Sequence, residues 1–313
     1  MDAVIREHGP WTAHNIHLGD GIYTMGDRLV ADEVMLRRFV QLVADAAGRP
    51  LSELRVLDLA CHEGLYAIEF ARHGADVLGI EGREANLAKA RRAGAVRGLE
   101  RLSFERAAVR ELSLERHGRY DVVLCSGILY HLDTPDVFAF IERIAEVCTR
   151  VAVFNTQVST APAIAVPHQG RTYHGRRFLE HLPSQDAAGK ERATWASLDN
   201  AYSFWFTRPS LINMLVAAGF TSVVDCLAPA RPGQRADWVT WLAYRGERQR
   251  VLSSPRADGM PEPLQPEHAP QLVHPGQRWF YPIARRVRPW LGDGPVRLLG
   301  RWFGTTWARE KNP

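Results

Sequence analysis

Cysteine is scarce in this 313-residue chain: there are four, at positions 61, 125, 148 and 226, and no two share a C-x2-C spacing. That excludes a disulfide framework and a cysteine-rich zinc module, and it fits a reducing compartment. No apolar run approaches the ~20 residues a membrane span requires. The opening "MDAVIREHGPW" lacks the basic and apolar regions of a secretory signal. Internal repeats are missing, which excludes solenoids and propellers. A large excess of one charge is missing too, since the net charge is +4. The body therefore carries no general polyanion-binding signature. These absences make a cytoplasmic globular protein the expectation.

What is present is a regular alternation. "RVLDLAC", "DVLGIEG", "LSFERAA", "YDVVLCSG" and "RVAVFNT" read as buried strands, separated by helical runs such as "LYAIEFARH" and "REANLAKARRAG". Strands alternating with helices imply a parallel sheet covered on both faces. Residues 29–47 have helical spacing, and "RPSLINMLVAAGF" reads as a later helix with Pro209 near its start and Gly219 near its end. "SVVDCLAP" and "WVTWLAYR" are joined by a turn-forming "RPGQRAD", so they pair as an antiparallel hairpin. The expected fold is α/β, a Rossmann-like sheet of seven strands with a terminal antiparallel hairpin, plus an insertion and a C-terminal extension.

The domain plan follows from breaks in this pattern. Residues 1–27 form an arm or lid, and 28–245 form the ligand-binding domain. Within it, the aperiodic stretch 158–207 is a substrate-side insertion. Six prolines in 255–275 mark 246–277 as an extended linker. Residues 278–313 are aromatic and basic, with a net charge of +6 against −2 for the remainder. Such a tail can dock on the body, form a homodimer contact, or meet RNA or an acidic lipid surface.

The chemistry concentrates in the loop after the first strand, "DLACHEG". Cys61, His62 and Glu63 are ligand-type residues, but consecutive side chains diverge at a strand–helix turn, whereas genuine metal sites use spaced ligands. A dinucleotide would want G-x-G-x-x-G there, and Glu63 would place negative charge against a pyrophosphate. The loop instead resembles the first motif of class I S-adenosylmethionine (SAM) methyltransferases, an acid followed by D/E-x-G-x-G-x-G. Asp58, Ala60, His62 and Gly64 occupy the acid and the three glycine positions. The resemblance covers about Val56 to Arg245. It implies that Asp58 lies near the methionine moiety and that Gly64 allows close backbone approach. Glu81, ending "GIE", matches the acid that holds the ribose hydroxyls, because a carboxylate accepts two hydrogen bonds at once. Cys61, Gly82 and Ser126 join the expected cofactor contacts. Ala107 and Ala108 stand where many relatives carry an adenine-binding acid, so adenine would rest there on backbone groups and packing.

The outer segments "HNIHLGDGIYTMG", "LYHLDTP" and "WASLDNAYSFWFTRPSLINMLVAAGF" resemble a bacterial branch related to tRNA wobble-uridine modifying methyltransferases. Within it, the chain resembles actinobacterial sugar O-methyltransferases of the methylmannoside type. That resemblance implies a small saccharide acceptor whose hydroxyl needs a base or a metal. His131 is the candidate base. Asp133 can orient it, cap the next helix or bind Mg2+, and Glu63 and Asp199 are further Mg2+ candidates. His174 and Asp199 are alternative catalytic groups, and His168 is another potential one. His17, Tyr23, Glu63, Tyr173, Trp195, Asn200, Tyr202, Trp205 and Arg208 are candidate acceptor contacts, with His14 and Thr24 near them on the arm. The bland reading places many of these aromatics in the insertion's own core. A tRNA substrate and a non-catalytic partner-binding role are the competing functions.

Overall fold

The structure, a computed structural model, describes residues 2–28, 31–230, 236–261 and 263–267. Helix α1 (Asp2–His8) and a small antiparallel hairpin, β1 (His17–Gly19) with β2 (Ile22–Tyr23), build the N-terminal arm. After α2 (Ala31–Ala46) come β3 (Arg55–Leu59), α3 (Leu65–Arg72), β4 (Asp76–Glu81), α4 (Glu84–Val96) and β5 (Leu102–Arg106). A single turn, α5 (Leu114–His117), leads to β6 (Tyr120–Ser126), α6 (Asp136–Val147) and β7 (Cys148–Gln157). The insertion holds β8 (Ile164–His168), β9 (Arg171–Leu179), α7 (Ala187–Arg192) and β10 (Tyr202–Phe206). The chain then forms α8 (Arg208–Ala217), β11 (Ser222–Asp225), β12 (Trp238–Tyr244) and the short α9 (Pro255–Asp258).

The central sheet has seven strands in the order β11-β12-β7-β6-β3-β4-β5. Strands β3 to β7 run parallel, and β12 is antiparallel to both of its neighbours. This is the expected Rossmann-like class I arrangement with its terminal hairpin. Alternate residues of the inner strands feed two cores, one on each face. Val56, Val122, Leu124 and Val153 pack with α2 and α3, whereas Leu57, Val123, Cys125 and Phe154 pack with α6 and α8. Each fully buried Val, Leu or Phe contributes about 1.5–3 kcal/mol.

The insertion departs from its aperiodic reading. Its β10, β9 and β8 make a separate three-stranded antiparallel sheet. Phe204 and Phe206 bury one face against Phe138 of α6, while Arg176 and Arg177 stay exposed. Residues Met1–Gln265 cluster as one compact unit. The expected extended linker contains the helical turn α9, and the basic tail 278–313 lies outside the described residues.

Candidate active site

Strand order reverses between β3 and β6, because the chain builds outward through β4 and β5 and then returns to the other side of β3. Such a switch point opens a crevice at the carboxyl ends of the strands. A cavity of about 540 Å³ occupies it. One end is lined by Cys61, His62, Glu81, Gly82 and Val109, and the other by Ser126, Tyr130, His131, Asn155 and Trp238. From β4 to β7 is three strand spacings, roughly 14 Å, enough for two ligands side by side.

The loop from β3 to α3 has an unusual backbone. Ala60 and His62 are left-handed at φ +53° each, and Gly64 follows at +89°. The replaced glycine positions thus keep a glycine-like path, at about 1–2 kcal/mol for each residue bearing a side chain. Gly64 itself admits nothing larger, since an added Cβ would lie 2.9 Å from the Ala90 methyl and 3.1 Å from the Phe104 ring. The His62 N–H donates to Glu81 Oε2 at 3.0 Å, and the Arg83 N–H donates to Glu81 Oε1 at 2.8 Å. Burial raises the Glu81 carboxyl above its ordinary value, although these N–H groups oppose the shift. Asp58 lies behind the loop, 1 % exposed, with Oδ2 accepting from the Ala67 N–H and no hydrogen-bond partner at Oδ1 among the described residues. Burial pushes its pKa up to about 7, against the pull of His14 and the Ala67 N–H.

His131 follows β6 on a single 3-10 turn and lines the cavity. Its Nδ1 lies 3.1 and 3.0 Å from the two oxygens of Glu180. Burial raises the Glu180 carboxyl, but the bond and charge of His131 and the Ser197 N–H outweigh it and leave the acid below its usual range. A carboxylate can only accept, so His131 Nδ1 donates in this contact and Nε2 is the ring nitrogen left to act as an acceptor.

Residues 56–150 match a family described as a methyltransferase domain. The match takes in under a third of the chain. The ubiquinone biosynthesis O-methyltransferase of Acinetobacter baumannii (strain AYE) is 39 % identical over 91 residues, which is 29 % of this chain and 38 % of that protein. A protein of the same name from Bordetella avium is 35 % identical over 97 residues, 31 % of this chain and 39 % of that protein. The chain thus spans about two fifths of the length of these curated relatives. The crystal structure of the N-terminal domain of EvdMO1, solved in the presence of SAH and D-fucose, aligns with a TM-score of 0.58 at 24 % identity. That alignment covers 78 % of this chain and 95 % of the other and shows a shared fold.

Around this stretch, Ala60, Cys61, His62, Glu81, Gly82, Ser126, His131 and Trp195, all singled out in the sequence, line the cavity directly. His14 lines it too, and its Nδ1 accepts from the Leu65 N–H that opens α3, at 3.2 Å. Ala107 and Ala108 stand just outside, and Val109 provides that wall. The arm's Thr24 hydroxyl donates to the His14 carbonyl at 2.8 Å.

Other candidates have structural work instead. Glu63, expected to meet the acceptor, is fully buried and takes N–H bonds from Thr12, Ala13 and His14 at 2.8–3.1 Å. Tyr173 is a core residue between Phe138 and Phe206. His174 sits in mid-strand on β9, and His168 bonds Glu142. His17 packs on Tyr23, outside the cavity. Trp205 donates its indole N–H to the Tyr130 carbonyl at 2.9 Å, and Asn200 donates to the His131 carbonyl at 2.9 Å. Tyr202 lies under Arg177, and Arg208 pairs with Asp225.

The acids considered for Mg2+ are likewise committed. Asp133 pairs with Arg177 at 3.0 Å, and Asp199 pairs with Arg110. His14, His62 and Glu63 do bring potential ligand atoms within 4.8 Å of one another. The Lys89 ammonium, 3.2 Å from Glu63 Oε1, opposes a cation there. Burial and the Asp58 and Glu81 charges raise the Cys61 thiol well above its ordinary value, so it is a poor ligand. Glu180 and Arg83 went unnoticed in the sequence because they act across the fold.

Proposed function

We propose that the protein is a SAM-dependent O-methyltransferase acting on a hydroxyl of a small saccharide or a related polyhydroxylated metabolite. The observation that carries this reading is one cavity bordered both by the left-handed loop with Glu81 and by His131 oriented through Glu180. The residues present suit the cofactor. A carboxylate offers about four acceptor sites, so the two N–H bonds to Glu81 leave room for ribose hydroxyls.

When bound, SAM supplies an electrophilic methyl group on a sulfonium. Transfer is an in-line displacement, so placement of the acceptor oxygen does much of the work. The Nε2 of His131 takes the hydroxyl proton, and the Glu180 carboxylate fixes the tautomer and balances the charge on the ring. Tyr130, Trp195 and Trp238 provide aromatic faces for a sugar ring, and Ser126 and Asn155 provide polar groups beside them. A sugar acceptor is in keeping with the D-fucose in the EvdMO1 domain structure. The same aromatic wall favours a phenolic acceptor as the second reading, in keeping with the names of the ubiquinone-pathway relatives.

The test is transfer of radiolabelled methyl from SAM to short saccharides, catechols and bulk tRNA, each with Mg2+ or EDTA. Label is expected in saccharides and is expected to persist in EDTA. Exclusive label in catechols or tRNA overturns the acceptor assignment. His131→Ala is expected to lower turnover by about 10²–10⁴-fold with cofactor affinity nearly intact. Full activity in that variant removes His131 as the base.

A further inference from the structure

The cavity is roofed by residues 194–198 of the insertion, which follow α7 and adopt no regular secondary structure. Two local backbone bonds brace it, from the Thr194 N–H to the Arg192 carbonyl and from the Ala196 N–H to the Ala193 carbonyl, each at 3.0 Å, and its attachments to the body come from elsewhere in the fold. The buried Arg83 guanidinium donates to the carbonyls of Glu191, Ala193, Ala196 and Ser197 at 3.0–3.2 Å. The Leu198 side chain lies on Gly82, where an added Cβ would come within 2.5 Å of it. The Trp195 ring stacks on His62 with centroids 5.6 Å apart.

The same roof is tied to His131 from two sides. The Ser197 N–H donates to Glu180 Oε2 at 2.9 Å, on the carboxylate that holds His131 Nδ1. The Ser197 hydroxyl donates to the Asn200 carbonyl at 2.7 Å, and the Asn200 amide donates to the His131 carbonyl at 2.9 Å. At the other end, Arg83 gives its backbone N–H to Glu81. An unbroken set of contacts therefore runs from Glu81 through Arg83, the roof and Glu180 to His131.

We infer that docking of the roof on Arg83 assembles the His131–Glu180 pair, so that a nucleoside held by Glu81 beneath the roof prepares the base for the acceptor. Arg83 and Glu180 are then positioning residues, and the methyl acceptor binds second. The inference rests on the SAM-methyltransferase reading above. A ligand that fills the space under the roof is enclosed by it, and its binding favours the docked state by its differential affinity for that state. Coupling of this kind commonly amounts to ~5–150-fold.

The test is amide hydrogen exchange across residues 191–200 of the 313-residue chain with and without SAH, alongside SAH calorimetry. Saturating SAH is expected to slow exchange of the Ser197 amide at least ~5-fold. In Arg83→Met, SAH still binds, the protection is lost, kcat falls more than the KM for the acceptor rises, and the acidic limb of the kcat–pH profile moves. Arg83→Lys restores part of each. Unchanged exchange on SAH binding, or an Arg83→Met profile identical to the parent, overturns the inference while leaving the methyltransferase reading in place. Failure of SAH to bind the parent protein overturns both.

Discussion

At the scale of single residues, burial sets the pH response of Asp58. Its folded-state pKa of about 7 stands above the ordinary 3.8, so the folded protein holds a proton that the unfolded chain releases between those values. Stability from this carboxyl is thus fully present below about pH 4 and is lost as pH rises to about 7. Three units correspond to about 4 kcal/mol. Thermal melts of the parent and Asp58→Asn are expected to diverge over that window, the variant gaining on the parent as pH rises. Parallel curves refute the assignment. The identity of Asp58 was legible as an acid in a motif, but its protonation was not, because burial depends on the packing of α3 over the loop.

At the scale of elements, one buried side chain ties the arm's backbone to the body, beside the His14 and Lys89 bonds and the packing of Ile16 and Leu18. Glu63 gathers three backbone N–H groups of residues 12–14 and the buried Lys89, joining the arm, the loop from β3 to α3, and α4. Glu63→Ala strands the Lys89 ammonium and is expected to cost about 3–5 kcal/mol. Its first sign should be cleavage by trypsin at Arg6 or Arg28, ahead of any loss of the central sheet. Simultaneous loss of both would show that the arm is not anchored separately. The insertion makes the complementary case. Its β9 reads "RTYHGRRFL", with no clean alternation, because Arg176 and Arg177 are set by pairing with β10 and by aromatic neighbours.

For the molecule as a whole, the two buried clusters flanking the sheet are built from residues preceding Glu247. A chain ending at Gln265 is accordingly expected to fold cooperatively and to bind SAH as the full chain does, by calorimetry. Loss of SAH binding would contradict a self-sufficient domain. If bulk tRNA accepts label only with the tail present, the +6 charge of residues 278–313 supplies phosphate contacts, and the signal must fall steeply with salt.

The alternation of apolar strands with helices, the terminal hairpin and the acid-bearing loop after β3 were determined by the sequence itself. These features are local, with period, turn chemistry and spacing all lying within a few residues. The tertiary structure alone decided that Glu63 anchors the arm, that Tyr173 is core, and that Glu180 rather than Asp133 orients His131. Glu180 is 49 positions from His131, and Arg83 is 114 from the Ser197 carbonyl it binds. Partnerships across such separations leave no periodic trace, because they are fixed by which strands the sheet places side by side.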